Sequence, residues 1–344
     1  MDYYRIGYAM NPALSTMNAQ AVRQLTHLNL AFGRIEKGLL TLEMLPDLDR
    51  IQVFRQWNPE LKIVLSVGGW EADGFSQMAM TEAGRRAFAR SCQEAVMDYG
   101  LDGIDIDWEY PCSSAAGIAS DPRDKENFTL LLAALREELG QEKILSVAMG
   151  AAESCVRDTE MDKAQAYLTY VQLMTYDMAG EFPGRTGHHA GLALSRQVVK
   201  RYHEAGMPYE KLVLGAAFYG RHFTVYGTEN HGLNQRAGEG LPGPAFGELT
   251  EDYRKENGYE DFWDEEGEGS YLFNGTTFIS YESPESIRRK CAYVKEMGMK
   301  GIMYWEQSHD PDGVLLGVIA KELGETLNKS SAAEQRIFRP SRSV

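Results

Sequence analysis

LDGIDIDWEYP, Leu101 to Pro111, sets four acidic residues into an otherwise apolar run of a 344-residue chain. Strands disfavour Asp and Glu, because crowded carboxylates repel one another and lose hydration when buried. Alternation resolves the conflict. Successive strand side chains point to opposite faces, so Asp105, Asp107 and Glu109 share one face while Ile104, Ile106 and Trp108 take the other. The apolar face suits a cover of helices. The acidic face suits a barrel interior, and Pro111 ends the run beside Glu109, at the strand end where barrel enzymes build their active sites. Asp102 lies off that face, at the start of the strand, and is expected to hold backbone groups of the preceding turn.

The flanking sequence repeats the pattern. RIGYAM, HLNLAFGRI, KIVLSVGG, ILSVAMGA, VQLMTYDM, LVLGAAFYG and GIMYWEQ are further short apolar runs. Most are near-continuous, as expected of parallel strands covered on both faces. Between them lie amphipathic stretches such as TEAGRRAFARSCQEAVMDYG, KENFTLLLAALREELG and SRQVVKRYHEAG. Several close on glycine, at Gly100, Gly140, Gly206 and Gly298. Eight strands alternating with helices predict an α/β fold of the (β/α)8 TIM-barrel type over residues 1–327. A doubly wound open sheet is the alternative, weakened by the absence of GxGxxG after the first strand. The interval 222–280 is too long for a barrel loop and reads as a small α+β insertion after strand seven. Residues 328–344 have no periodicity and read as a mobile tail.

Composition narrows the partners. The net charge of -15 repels nucleic-acid phosphates and anionic lipid headgroups, while a neutral substrate such as a sugar is compatible with it. The four cysteines, Cys92, Cys112, Cys155 and Cys291, form no CxxC pair and no zinc spacing with histidine, so free thiols and no metal or cofactor are expected. The adjacent His188 and His189 read as structural. No run reaches the 18 or so apolar residues of a membrane span. The N-terminus MDYYRIGYAMNP has no basic or apolar leader regions, which points to the cytoplasm, or to secretion if a leader has been removed. A monomer is expected.

Close carboxylates in a poorly solvated interior cannot all ionise. At least one stays protonated towards neutrality and can donate, and Glu109, outermost, is the candidate. Two other readings fit the spacing: a structural ion-pair network and a metal site of the Mg type. A network needs basic partners on the same face, and of the other strands only the seventh supplies one, Arg221.

DGIDIDWE resembles the DGxDxDxE signature of family 18 glycoside hydrolases, the chitinases and their relatives. The likeness spans nearly the whole barrel: SVGGW (Ser66 to Trp70) resembles the family's SxGG strand three, MTYD (Met174 to Asp177) its strand six, YGR (Tyr219 to Arg221) its strand seven and GIMYWE (Gly301 to Glu306) its strand eight. The resemblance implies a substrate-assisted, retaining hydrolysis of β-1,4 bonds between N-acetylglucosamine units, in chitin or its oligosaccharides. Glu109 would be acid and then base. Asp107 would bind the acetamido N–H, Asp105 would share a proton with Asp107, and Tyr176 would hold the acetamido carbonyl. Tyr8 and Ser66 would hydrogen-bond Asp105. Asp177 and Arg221 would fix sugar hydroxyls near Tyr219, Met174 and Trp305 would wall the subsite, and Trp70 and Phe182 would be platforms on the leaving-group side. By composition alone Met174 and Trp305 read rather as ordinary core. Two rival functions share the resemblance: an endo-β-N-acetylglucosaminidase acting on N-glycans, and a chitinase-like lectin, which typically lacks the Glu that stands here as Glu109.

Overall fold

The structure, a computed structural model, describes residues 3–178 and 184–324. In chain order its strands are β1 (Tyr4–Met10), β2 (His27–Glu36), β3 (Leu39–Thr41), β4 (Lys62–Gly68), β5 (Gly103–Asp107), β6 (Ile144–Gly150), β7 (Tyr170–Met174), β8 (Leu212–Ala217), β9 (Tyr219–Thr224), β10 (Leu241–Ala245), β11 (Glu260–Asp264), β12 (Gly269–Phe273), β13 (Thr277–Tyr281) and β14 (Gly301–Trp305). Eight of them pair in parallel in the order β1-β14-β8-β7-β6-β5-β4-β2, and β1 pairs with β2 to close the ring. Closure leaves no free edge, and the odd-numbered face of β5 is the interior, as the alternation in LDGIDIDWEYP requires. β3 adds a short antiparallel flap on the end of β2.

The helices begin and end where local chemistry places them. Thr81 accepts a hydrogen bond from Gly84 N and caps the helix Glu82–Asp98. Ser283 does the same, to Ser286 N, for the helix Pro284–Met297, which ends on Gly298 in the left-handed region. The main core lies between ring and helices. Ile104, Ile106 and Trp108 pack there with Phe75, Phe88 and Phe128, and Trp108 stacks on Phe75 at 5.2 Å. A second cluster fills the ring itself, with Ile6, Tyr170, Val213 and Met303.

The remaining five strands form an antiparallel sheet, β10-β9-β13-β12-β11. It starts at Tyr219, earlier than the 222 expected from sequence, and ends at Tyr281. YGR therefore belongs to this second sheet and not to the seventh barrel strand, which is β8. The reason is a change of partner at one residue: Ala217 still pairs with Trp305 and Phe218 N donates to Trp305 O, but Tyr219 pairs with Ala245 of β10. The tail 328–344 lies outside the described residues. No helix among the described residues is long and apolar enough to cross a membrane, and the four cysteines are free thiols.

Candidate active site

The C-terminal ends of the barrel strands line a cleft of about 1440 Å³. Its floor is organised around Asp105. That carboxylate is fully buried and accepts four hydrogen bonds, on Oδ2 from Tyr8 Oη (2.7 Å) and Ser66 Oγ (2.8 Å), and on Oδ1 from Ser146 Oγ (2.7 Å) and Gln172 Nε2 (2.9 Å). The donors come from β1, β4, β6 and β7, so one buried acid ties together half of the ring. Burial still outweighs these bonds and raises its pKa.

Asp107 lies one pleat further out and is also buried, but its Oδ1 has no hydrogen-bond partner among the described residues. Burial, then the charges of Glu109 and Asp105, push its pKa well up, while Arg34 opposes them. Glu109 stands just past the end of β5. Burial and the charge of Asp177 push its carboxyl up to about 7, against a hydrogen bond with Tyr110 and the charge of Arg34. Gly68 makes this crowding possible. It pairs with Asp107 across the β4–β5 ladder at φ 125°, and a Cβ there would lie 2.0 Å from Asp107 O.

Tyr176 and Asp177 follow β7 directly. Tyr176 is half-buried, and loss of solvent around its hydroxyl raises the pKa well above the ordinary value and keeps it a proton donor. Arg221 Nε donates to Asp177 Oδ1 at 2.7 Å, and His189 Nδ1 lies 3.5 Å from the same oxygen. Burial would raise the Asp177 pKa, but the hydrogen bonds with His189 and Arg221 outweigh it and hold the carboxyl well below the usual range. Tyr219 packs against Tyr176 at 6.1 Å and His189 at 5.2 Å. Trp305 and Met174 line the cleft, with the indole stacked on Phe32 at 5.5 Å, and Trp70, 53% exposed, stands at the mouth. Phe182 lies outside the described residues.

The structure thus brings together every other residue expected in the site. Asp102 is structural, accepting from Ile63 N at 2.8 Å and paired with Arg55. Among the described residues no group of three or more His, Cys, Asp or Glu side chains is arranged to hold a metal.

Sequence reasoning missed several members. Arg34 faces the acids from β2, correcting the expectation that the seventh strand alone carries a basic partner. A register shift between Ala31 and Gly33 inverts the alternation of β2. Asn29 points inward and bonds Gln172, yet beyond the shift it is the even-numbered Phe32 and Arg34 that line the cleft. Ser146 and Gln172 had a signal, as polar residues inside apolar strands. The sequence marks His189 as structural; it is fully buried and braces Asp177.

A family model described as glycosyl hydrolases family 18 matches residues 3–310. Chitinase A1 of Niallia circulans is 34% identical over 311 residues, covering 80% of this chain and 44% of that protein. Chitotriosidase-1 of Mus musculus is 31% identical over 317 residues, covering 81% of this chain and 66% of that protein. The chain is therefore shorter than both relatives. Among solved structures, a family 18 N-acetylglucosaminidase from Paenibacillus barengoltzii superposes with a TM-score of 0.90 at 42% identity, covering 93% of this chain and 100% of that one. The Ostrinia furnacalis Group IV chitinase in complex with allosamidin gives a TM-score of 0.85 at 28% identity, covering 94% and 99%.

Proposed function

The chain belongs to family 18 of the glycosyl hydrolases, and from that premise we propose that it hydrolyses β-1,4 bonds of N-acetylglucosamine oligosaccharides, with retention and with the substrate's own acetamido oxygen as nucleophile. The observation that carries this reading is the pairing of two unlike carboxyls. Asp107 presents a buried oxygen with no partner among the described residues, and beside it Glu109 holds a proton to about pH 7. An acetamido N–H supplies the donor that Asp107 Oδ1 lacks. Its carbonyl oxygen is then turned towards C1, and Glu109 protonates the leaving oxygen.

As positive charge develops on the oxazolinium ring, Asp107 balances it, with Asp105 lending charge from beneath. Tyr176 donates its hydroxyl to the acetamido carbonyl. Water then enters with Glu109 as base and opens the ring. Trp305 and Met174 wall the subsite, and Asp177, fixed by Arg221 and His189, accepts from sugar hydroxyls. A second carboxylate nucleophile is not required, which sets a substrate-assisted enzyme apart from other retaining glycosidases.

One observation favours short substrates. The aromatic residues Tyr8, Phe32, Tyr176, Tyr219 and Trp305 gather around the acids, whereas the outlying lining, from Met10 to Pro12 and from Ala151 to Ser154, is aliphatic or polar among the described residues. Among the described residues, which do not include the expected platform Phe182, remote sugars meet one stacking platform, Trp70, and this fits release of small units from oligosaccharides better than grip on a long polymer. The N-glycan and lectin readings remain alternatives, and the retained Glu109 argues against the second. Digestion of the acetylated hexamer, followed by chromatography, tests the proposal. Monomer or dimer accumulating from the first minutes is expected, and no cleavage at all would overturn it.

A further inference from the structure

Arg34 stands in a position that the mechanism above leaves unused. Its guanidinium donates to Gly68 O through Nη1, its Nε meets Met44 Sδ at 3.4 Å, and it lies over the Phe32 ring at 5.5 Å. All three anchors are neutral. Among the described residues, the other two arginines of the cleft are engaged by carboxylates, Arg221 by Asp177 and Arg201 by Glu153. The carbonyl that anchors Arg34 belongs to the residue paired with Asp107 in the β4–β5 ladder, about one strand spacing away. The half-buried cation is thus fixed by neutral groups while its charge faces the acids.

We propose that Arg34 tunes the acid–base pair: its fixed positive charge, held across the ladder from Asp107, keeps Asp107 and Glu109 at one shared proton through the working pH. This rests on the reading of Glu109 as acid and base. The groups facing the pair are Asp105 on its own strand, Tyr8 from β1, Tyr176 and Asp177 beyond β7, Tyr110 and Cys155 beside Glu109, and Arg34 from β2. The acids among them make a proton harder to lose, and Arg34 is the cation that opposes them. A unit charge one or two strand spacings away, about 5–10 Å, corresponds in the effective dielectric of a protein site to about one to two pH units.

The test uses the full chain as wild type, Arg34→Gln, Arg34→Met and Arg34→Lys. Carboxyl ¹³C NMR titration reads the pair without substrate, and the pH profile of kcat/KM on acetylated oligosaccharides reads it in turnover. Gln and Met are expected to move both apparent ionisations up by about one to two units, and Lys to leave both in place. Reduced turnover with unmoved ionisations in Gln and Met would make Arg34 a packing residue and overturn the proposal, as would a Lys variant that shifts as far as Gln. Should Gln and Met fail to fold, Lys alone decides: unmoved limbs support the tuning role and moved limbs overturn it. If the wild type cleaves no such oligosaccharide, the functional reading fails, while the NMR titration still decides the role of Arg34.

Discussion

On the proposed mechanism Glu109 carries the proton, so its environment would set both rate and stability. Glu109→Gln is expected to lower kcat by about 100-fold or more while binding of acetylated oligosaccharides, read by calorimetry, persists. Wild-type turnover in the purified variant would remove Glu109 from the chemistry. The same substitution has a pH-dependent effect on folding. The folded-state pKa is raised from 4.5 to about 7, so the folded chain binds the proton more tightly than the unfolded one. The stability this group contributes is fully present below 4.5 and is lost as pH rises through about 7. Gln has no such titration. Relative to wild type, the variant should therefore gain about 1–3 kcal/mol between mildly acidic and mildly alkaline pH, measured by urea midpoints. A pH-independent difference would place the Glu109 pKa near its ordinary value. The three acids were legible because strand parity alone puts them on one face. Arg34 was not, because the bulge in β2 reverses parity and leaves no residue type that announces it.

Most barrel strand ends and the start of the second sheet contribute parts of the site, and the connections between elements hold those parts in register. Lys290 and Glu282 form a fully buried ion pair, and Lys290 Nζ also donates to Gly215 O of β8 at 2.9 Å. The same carbonyl accepts from Thr175 Oγ1 at 2.8 Å, next to Tyr176. The pair thus links the end of the second sheet to the turn that carries Tyr176 and Asp177. Lys290→Met strands a buried carboxylate and should cost about 3–5 kcal/mol in denaturant melts, whereas the double change with Glu282→Gln should recover much of it. Equal losses in single and double variants would contradict the coupling. The barrel strands could be read from sequence, since each is a short apolar run of its own. The start of the second sheet could not. The hydrogen-bond partner changes at Phe218 inside the continuous run LVLGAAFYG, and hydrophobicity does not register a change of partner.

At the scale of the molecule, a closed ring holds buried carboxylates in a chain whose net charge is -15. A neutral oligosaccharide feels little of that field. Its kcat/KM should change less than about twofold between low and moderate salt, while binding of a partly deacetylated, cationic oligomer should weaken clearly as the Debye length shrinks. Matching salt dependence for the two would argue against an acidic cleft and surface. The ring closure and the overall charge were both legible from sequence; the length of substrate was not, because it depends on how loops of different strands converge. On the proposed mechanism the acetamido oxygen attacks C1. Aryl glycosides of N-acetylglucosamine or of its dimer, whichever is turned over faster, can carry acetyl, monofluoroacetyl, difluoroacetyl or trifluoroacetyl at nitrogen. Each fluorine makes the carbonyl oxygen a poorer nucleophile. If that oxygen forms the ring, log kcat/KM falls steadily along the series, by orders of magnitude from first to last. A flat series, with turnover of the trifluoroacetyl substrate matching that of the acetyl one, would contradict the mechanism.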